Sequence, residues 1–149
     1  MSTAIVYDFK DIKRLQDRLA KLGNFDHAAL LEVVGAEGES QTHRRLREEK
    51  TDPEGNAWES WSDDYALTRH GGNSLLMGEG DLDDSVQFVV GIDQVEIGSN
   101  LPHAAINNFG GEEVGINIPA RQYLGFSDEN EADLLAVIDD FLDDQLRAL

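Results

Sequence analysis

The chain has 149 residues, 40% of them hydrophobic, and a formal net charge of -18 at pH 7. That length and apolar content predict one compact domain over residues 1–149, without a membrane span, a recognisable secretory signal or, since cysteine is absent, any disulfide. The acidic balance excludes a protein that wraps DNA, because such proteins need Lys and Arg against the phosphates.

Two helices are predicted in the first third of the chain. Apolar residues recur every three or four positions over residues 9–22, with Lys and Arg between them. Asp26 is placed to cap a second helix that runs to about Lys50. Gly35 and Gly38 share one stripe of this helix, which predicts that another backbone packs closely there; a break of the helix at the glycines is the alternative.

A long loop is predicted after the second helix, over residues 51–72. It opens with the turn Asp52–Gly55, and the stretch Arg69–Ser74, which overlaps its end, is expected to be mobile. Three aromatic residues in this loop are expected to pin it to the core: Trp58, Trp61 and Tyr65.

Strand patterns follow the loop. Val86–Val90 and Val95–Ile97 alternate around Gly91–Asp93, which predicts a β-hairpin. A third short strand is predicted over Gly115–Ile118, where Pro119 marks a sheet edge or end.

A long C-terminal helix is predicted to begin at a cap formed by Ser127 or Asp128, with Glu131 completing a capping box in the second case. Its apolar face is predicted to be wide: Leu134, Leu135, Val137, Ile138, Phe141, Leu142 and Leu146. These elements predict an α+β fold, with the N-terminal helices and the long C-terminal helix packed on a small antiparallel sheet.

The chain shows no pattern typical of catalysis, of a cofactor or of a metal site. The four histidines lack the spacing of metal ligands, and there is no nucleophile elbow or phosphate-binding glycine loop. Asp63-Asp64 and the acidic stretch Asp81–Asp84 could bind a divalent ion, but they lack the alternation of a calcium loop, so a solvated acidic turn is favoured.

The segment Leu101–Ser127 is instead typical of a surface that docks subunits. Arg121 lies in a turn fixed by Pro119, and it could bind a carboxylate of its own subunit or of a neighbour. Because aromatic residues and Arg are the usual anchors of subunit contacts, five residues are predicted to form an interface. They are Trp58, Trp61, Arg121, Tyr123 and Leu124.

The charges are unevenly distributed along the chain. Basic residues cluster in Lys10–Lys21 and His43–Lys50, whereas Asp128–Asp144 is almost purely acidic. This asymmetry suits a protomer that meets copies of itself basic-to-acidic, although folding could also pair these segments internally. The acidic excess itself fits either solubility or a channel along which DNA passes as cargo without sticking.

Three separated elements together resemble the phage virion morphogenesis family. They are Asp52–Trp58 with its Asp-Pro-x-Gly-x-x-Trp pattern, Leu75–Val86, and His103–Gly111 followed by Ile118–Arg121 and Leu124–Gly125. The resemblance covers nearly the whole chain, from about Phe9 to the C-terminus. His103 stands where Tyr is usual in the family, and Asn107 stands where His is usual.

The resemblance implies a small α+β structural protein of the virion, assembled in the host cytoplasm, without catalysis. It would act in tail completion or head–tail joining as a homo-oligomeric ring, a hexamer if it matches the tail, between tail-tube and head-connector proteins. The alternative function is an acidic monomeric or dimeric binding module, such as an inhibitor or a DNA mimic, since an acidic surface can imitate phosphates.

Overall fold

The computed structural model describes residues 3–8, 13, 17, 26–68, 75–78 and 80–147. The strands among them are β1 (Thr3–Asp8), β2 (Gln87–Val90) and β3 (Gln94–Ser99). The α-helices among them are α1 (His27–Arg44), α2 (Asp63–Thr68), α3 (Asp81–Ser85), α4 (Ala104–Phe109) and α5 (Asp128–Arg147). A π-helical turn, Arg45–Glu49, extends α1, and a 3-10 turn, Glu112–Val114, follows α4.

Two predictions fall largely outside the described residues. They are the helix over residues 9–22, of which Lys13 and Asp17 are described and are helical, and the mobile stretch over residues 69–74.

The sheet has the strand order β1-β3-β2, with both neighbouring pairs antiparallel. The predicted hairpin is confirmed as β2 and β3, with Val90 opposite Val95. The other edge, β1, places Ile5 opposite Ile97 and was not predicted from the sequence. Helices beside a small antiparallel sheet confirm the predicted α+β class.

The predicted strand over Gly115–Ile118 is wrong. Its backbone turns back on the preceding loop, since Ile116 N donates to Gly111 O and Gly111 N donates to Ile118 O, both at 2.9 Å. These hydrogen bonds occupy the backbone N–H of Ile116 and the backbone C=O of Ile118, so neither group is left to pair with a neighbouring strand. Pro119 has no N–H with which to continue a ladder.

Helix α1 is continuous and forms the centre of the fold. Its predicted cap is confirmed, because Asp26 Oδ1 accepts from Ala29 N at 3.0 Å. The glycines do not break it. A Cβ on Gly35 would lie 2.3 Å from the Phe88 ring, and one on Gly38 would lie 2.3 Å from Ile97 Cδ1, so the close neighbours are side chains of the sheet rather than another backbone.

Two apolar clusters form on α1. The larger lies between α1, the sheet and the loops: Leu31, Leu46, Trp58, Leu82, Val86, Val95, Ile97, Ala104, Tyr123 and Leu124. The smaller joins α1 to α5: Leu30, Val34, Leu134 and Ile138. The C-terminal helix α5 therefore packs against α1, the helix that also packs on the sheet.

The cap of α5 is formed by Ser127, one of the two predicted residues. Ser127 Oγ accepts from Asn130 N at 3.0 Å, and Asn130 Oδ1 accepts from Ser127 N at 3.1 Å, so Asn130 takes the place expected for Glu131. The buried face of α5 is narrower than predicted, because Leu135 and Leu146 are exposed.

Candidate assembly surface

The loop after α1 is tied to the core by Trp58. The predicted turn closes where Gly55 N donates to Asp52 O at 3.0 Å. Trp58 is buried, and its Nε1 donates to Gln122 O at 3.0 Å. Lys50 Nζ lies 5.9 Å from the centre of the same ring, within the range of a cation–π contact. The predicted anchoring of the loop is thus confirmed at Trp58.

Arg121 is directed into its own subunit. Its Nε donates to Glu59 O at 2.8 Å and its Nη2 donates to Ser60 O at 3.2 Å. The side chain is only 8% exposed, and this burial lowers the pKa of Arg121, while the nearby Glu59 carboxylate raises it. Its partners are backbone carbonyls, so the guanidinium fastens the loop after α1 to the turn at Pro119.

The next two apolar residues, Tyr123 and Leu124, are fully buried. Asn108 Oδ1 accepts from both of their backbone N–H groups at 3.0 Å. The hydroxyl of Tyr123 donates to Ala104 O at 2.9 Å, and burial raises the pKa of that hydroxyl above its usual value. The segment 121–124 therefore closes the core beneath α4.

A cleft of about 680 Å³ opens beside this segment. Trp61 and Tyr65 form one wall, with their rings edge-to-face and 5.9 Å between centroids. Met77, His103 and Pro119 contribute to the other walls. Two of the three segments that carry the family resemblance, Leu75–Val86 before the hairpin and the segment from His103 to Arg121 after it, thus line one concavity.

The loop after α4 presents apolar side chains to solvent next to this cleft. Phe109 is 68% exposed, Val114 66% and Ile116 47%. Asn107, Asn117 and Ile118, at the two ends of the same loop, line the cleft. We call the loop 109–116 the apolar loop. A group of large exposed apolar side chains is typical of a protein contact surface.

Of the five predicted interface residues, the structure buries Trp58, Arg121, Tyr123 and Leu124, and leaves Trp61 partly exposed at the cleft. Their predicted role in an interface remains a prediction. The apolar loop was not predicted as exposed. The sequence signal for it is the run Gly110–Glu113, which breaks helical periodicity and puts two charges among the apolar residues.

The acidic stretch Asp81–Asp84 is only partly the solvated turn that was favoured. Asp83 is buried, and its carboxylate meets His43 Nδ1 and Arg47 Nε, each at 2.7 Å. Within the described part of the chain, no group of three or more His, Cys, Asp or Glu could hold a metal ion. No helix in that part is both long and apolar enough to span a membrane.

The second basic run, His43–Lys50, makes contacts within its own subunit, where His43 and Arg47 meet the Asp83 carboxylate and Arg44 meets that of Glu49. Arg45 is fully buried and donates to the carbonyls of Tyr123 and Gly125 at 3.0 and 2.9 Å. It also donates to Asn130 Oδ1 at 2.6 Å, which ties the end of α1 to the start of α5. This run reaches the acidic stretch Asp128–Asp144 through the ion pair of Arg44 with Asp133, at 4.0 Å, and its closer carboxylate partners are Asp83 and Glu49.

Comparison with known proteins identifies the family of this chain. Residues 7–143 match the sequence profile of the Phage virion morphogenesis family, and the chain belongs to that family. It is similar to the protein of Escherichia phage Mu described as "Putative capsid assembly protein G". The two are 31% identical over 137 residues, which cover 86% of this chain and 88% of the phage Mu protein. No solved structure gives a significant match. The family resemblance is confirmed.

Proposed function

We propose that this protein completes the phage tail or joins it to the head. It would act as a homo-oligomeric ring at the head-proximal end of the tail, with tail-tube and head-connector proteins as neighbours. The ring would be a hexamer where it matches a sixfold tail. The action is geometric and not catalytic: the ring stops tube growth and offers a new face to the connector. The protein would reside in the virion after assembly in the host cytoplasm.

The observation that carries this proposal is the apolar loop beside the cleft. Assembly proteins must bury apolar surface against neighbours, and Phe109, Val114 and Ile116 remain largely exposed in the isolated subunit. The loop connects the two motifs His103–Gly111 and Ile118–Arg121, which both belong to the family resemblance, and this position supports a role in contacts with other virion proteins.

The test is particle completion in cells that produce the phage without this protein and receive a variant instead. Phe109→Ser with Ile116→Ser should fold normally and leave tails or heads unjoined. The matched control, Val89→Ser with Ile92→Ser, removes exposed apolar side chains from the hairpin and should complete particles normally.

Normal completion by the loop variant would contradict this role for the loop. Light scattering on the wild-type protein adds a second measurement. A strict monomer that binds a basic partner would favour the acidic binding module instead.

A further inference from the structure

Helix α5 carries a second apolar stripe outside the core. Leu134 and Ile138 are buried against α1, but Leu135 is 61% exposed and Leu146 is 43% exposed. Because 3.6 residues make one helical turn, Leu135 and Leu146, which are eleven residues apart, lie along the same side of α5, whereas Leu142 packs against the cluster on α1. This side is exposed beside the packed one, and it offers leucines to a partner.

Carboxylates surround this stripe. The acidic residues of α5 are Asp128, Glu129, Glu131, Asp133, Asp139, Asp140, Asp143 and Asp144, against one basic residue, Arg147. Among the described residues, the ion pairs of this helix are Asp133 with Arg44 and Asp144 with Arg147, both at 4.0 Å. We call this stripe, together with the neighbouring Asp139 and Asp143, the outer face of α5. A partner for it should be apolar and basic.

The basic run at the end of α1 is less suited to be that partner, because its arginines already have carboxylate neighbours within their own subunit. Arg47 Nε lies 2.7 Å from the buried Asp83 carboxylate, and Arg44 Nε lies 3.2 Å from Glu49. The densest group of basic residues elsewhere in the sequence is the stretch Lys10–Lys21.

That stretch has the complementary pattern. Residues 10–22 carry five basic and two acidic residues, and four large apolar residues recur at helical spacing: Ile12, Leu15, Leu19 and Leu22. Lys13 and Asp17, the two residues of the stretch that the structure describes, are helical and exposed. A basic amphipathic helix matches a stripe of leucines lined by carboxylates, both in charge and in its apolar spacing.

We propose that the outer face of α5 binds residues 10–22 of a second copy of this chain. The two surfaces are different parts of one protomer, so the contact is heterologous, and a heterologous contact that repeats around an axis closes a ring. The inference rests on the proposed function in one respect, since it names the contact that would build the proposed ring. In this contact the carboxylates of α5 face the basic residues of the segment, and the leucines of both partners are removed from water.

Two charge-reversed variants test the contact. The first is Asp139→Lys with Asp143→Lys, at two exposed positions of α5. The second is Arg14→Glu with Arg18→Glu. The matched control for the first variant is Glu32→Lys with Glu54→Lys, which raises the net charge by the same amount at exposed positions outside α5. Self-association is measured by light scattering and sedimentation over a range of concentrations, and circular dichroism confirms that each variant is folded.

The wild-type protein and the control should self-associate, and more weakly as salt screens the charges. Each charge-reversed variant alone should associate at least about tenfold more weakly. An equimolar mixture of the two should recover association, because the basic segment of the first variant fits the acidic α5 of the second, and the acidic segment of the second fits the basic α5 of the first.

Three results would overturn the proposal. They are a wild-type protein that stays monomeric at every concentration, single variants that associate like the wild type, and a mixture that fails to recover. If the protein stays monomeric, and both reversals in one chain restore a melting temperature that either reversal alone had lowered, the segment docks on α5 of its own subunit.

Particle completion separates this contact from the proposed function. Normal completion by the α5 variant, with association unchanged, shows that the contact is wrong while the function stands. Failure of the wild-type protein itself to restore completion shows that the function is wrong.

Discussion

Replacing Arg121 with Glu should destabilise the subunit itself. The wild-type guanidinium donates to Glu59 O and Ser60 O at 2.8 and 3.2 Å from a site that is 8% exposed. A carboxylate there has no hydrogen to donate, and it would face two carbonyl oxygens and the charge of Glu59. Hydrogen bonds from charged donors contribute about 1.5–3 kcal/mol each, so the free energy of unfolding should fall by about 3–5 kcal/mol.

Thermal melting followed by circular dichroism measures this loss. For a domain of this size, 1 kcal/mol shifts the melting temperature by about 2–4 °C, so the variant should melt roughly 6–20 °C lower. Arg147→Glu is the control, because it makes the same change of charge on an exposed side chain and should cost less than about 0.5 kcal/mol. A normal melt for Arg121→Glu with failed particle completion would refute this reasoning and support a role of Arg121 in an interface.

Three further predictions concern packing and pH. Gly35→Ala should lower the free energy of unfolding by about 1–2 kcal/mol in urea titrations. The new Cβ would lie 2.3 Å from the Phe88 ring, and the cost of this clash should exceed the gain in helix propensity. A more stable variant would show that the ring moves aside. Ile138→Ala should cost about 2–5 kcal/mol and Leu135→Ala less than about 0.5 kcal/mol in the same assay, and equal losses would mean that α5 packs differently. Because burial raises the pKa of Tyr123, the folded protein keeps a proton that the unfolded chain loses, and stability should fall as pH rises above about 10. Tyr123→Phe should reduce that fall, whereas an unchanged pH dependence would contradict the burial of the hydroxyl as its cause.

Local sequence signals were enough to predict the elements that are stabilised by their neighbours in sequence. Asp26 begins α1 through a bond to Ala29, and the alternation around Gly91–Asp93 fixes the hairpin. The cap at Ser127 was predicted as one of two choices, because Ser and Asp accept the same backbone hydrogen bond.

Elements that depend on distant partners were not predicted. Strand β1 pairs with β3, which lies about ninety residues further along the chain, and the short apolar run Ile5–Tyr7 was the one signal for it. Ile116 and Ile118 alternate like a strand, but they bond to the loop at Gly111. A period-two pattern predicts extended backbone, but it does not indicate which groups form hydrogen bonds with that backbone.

The same limit applies to the candidate surface. Tyr123 and Phe109 are both aromatic residues of one segment, yet the first is fully buried and the second is 68% exposed. Which of the two reaches solvent depends on Asn108, whose side chain holds residues 123 and 124 beneath α4. Sequence reasoning could locate the segment, but the orientation of each side chain requires the tertiary structure.

The most direct test of the account is a reconstruction of the completed particle at the junction of head and tail, by electron microscopy. We predict density for this fold in a ring at the head-proximal end of the tail. The apolar loop 109–116 of each copy should be buried against a neighbouring virion protein or a second copy. A particle whose junction lacks this protein, or a ring in which the apolar loop faces solvent, would contradict the account.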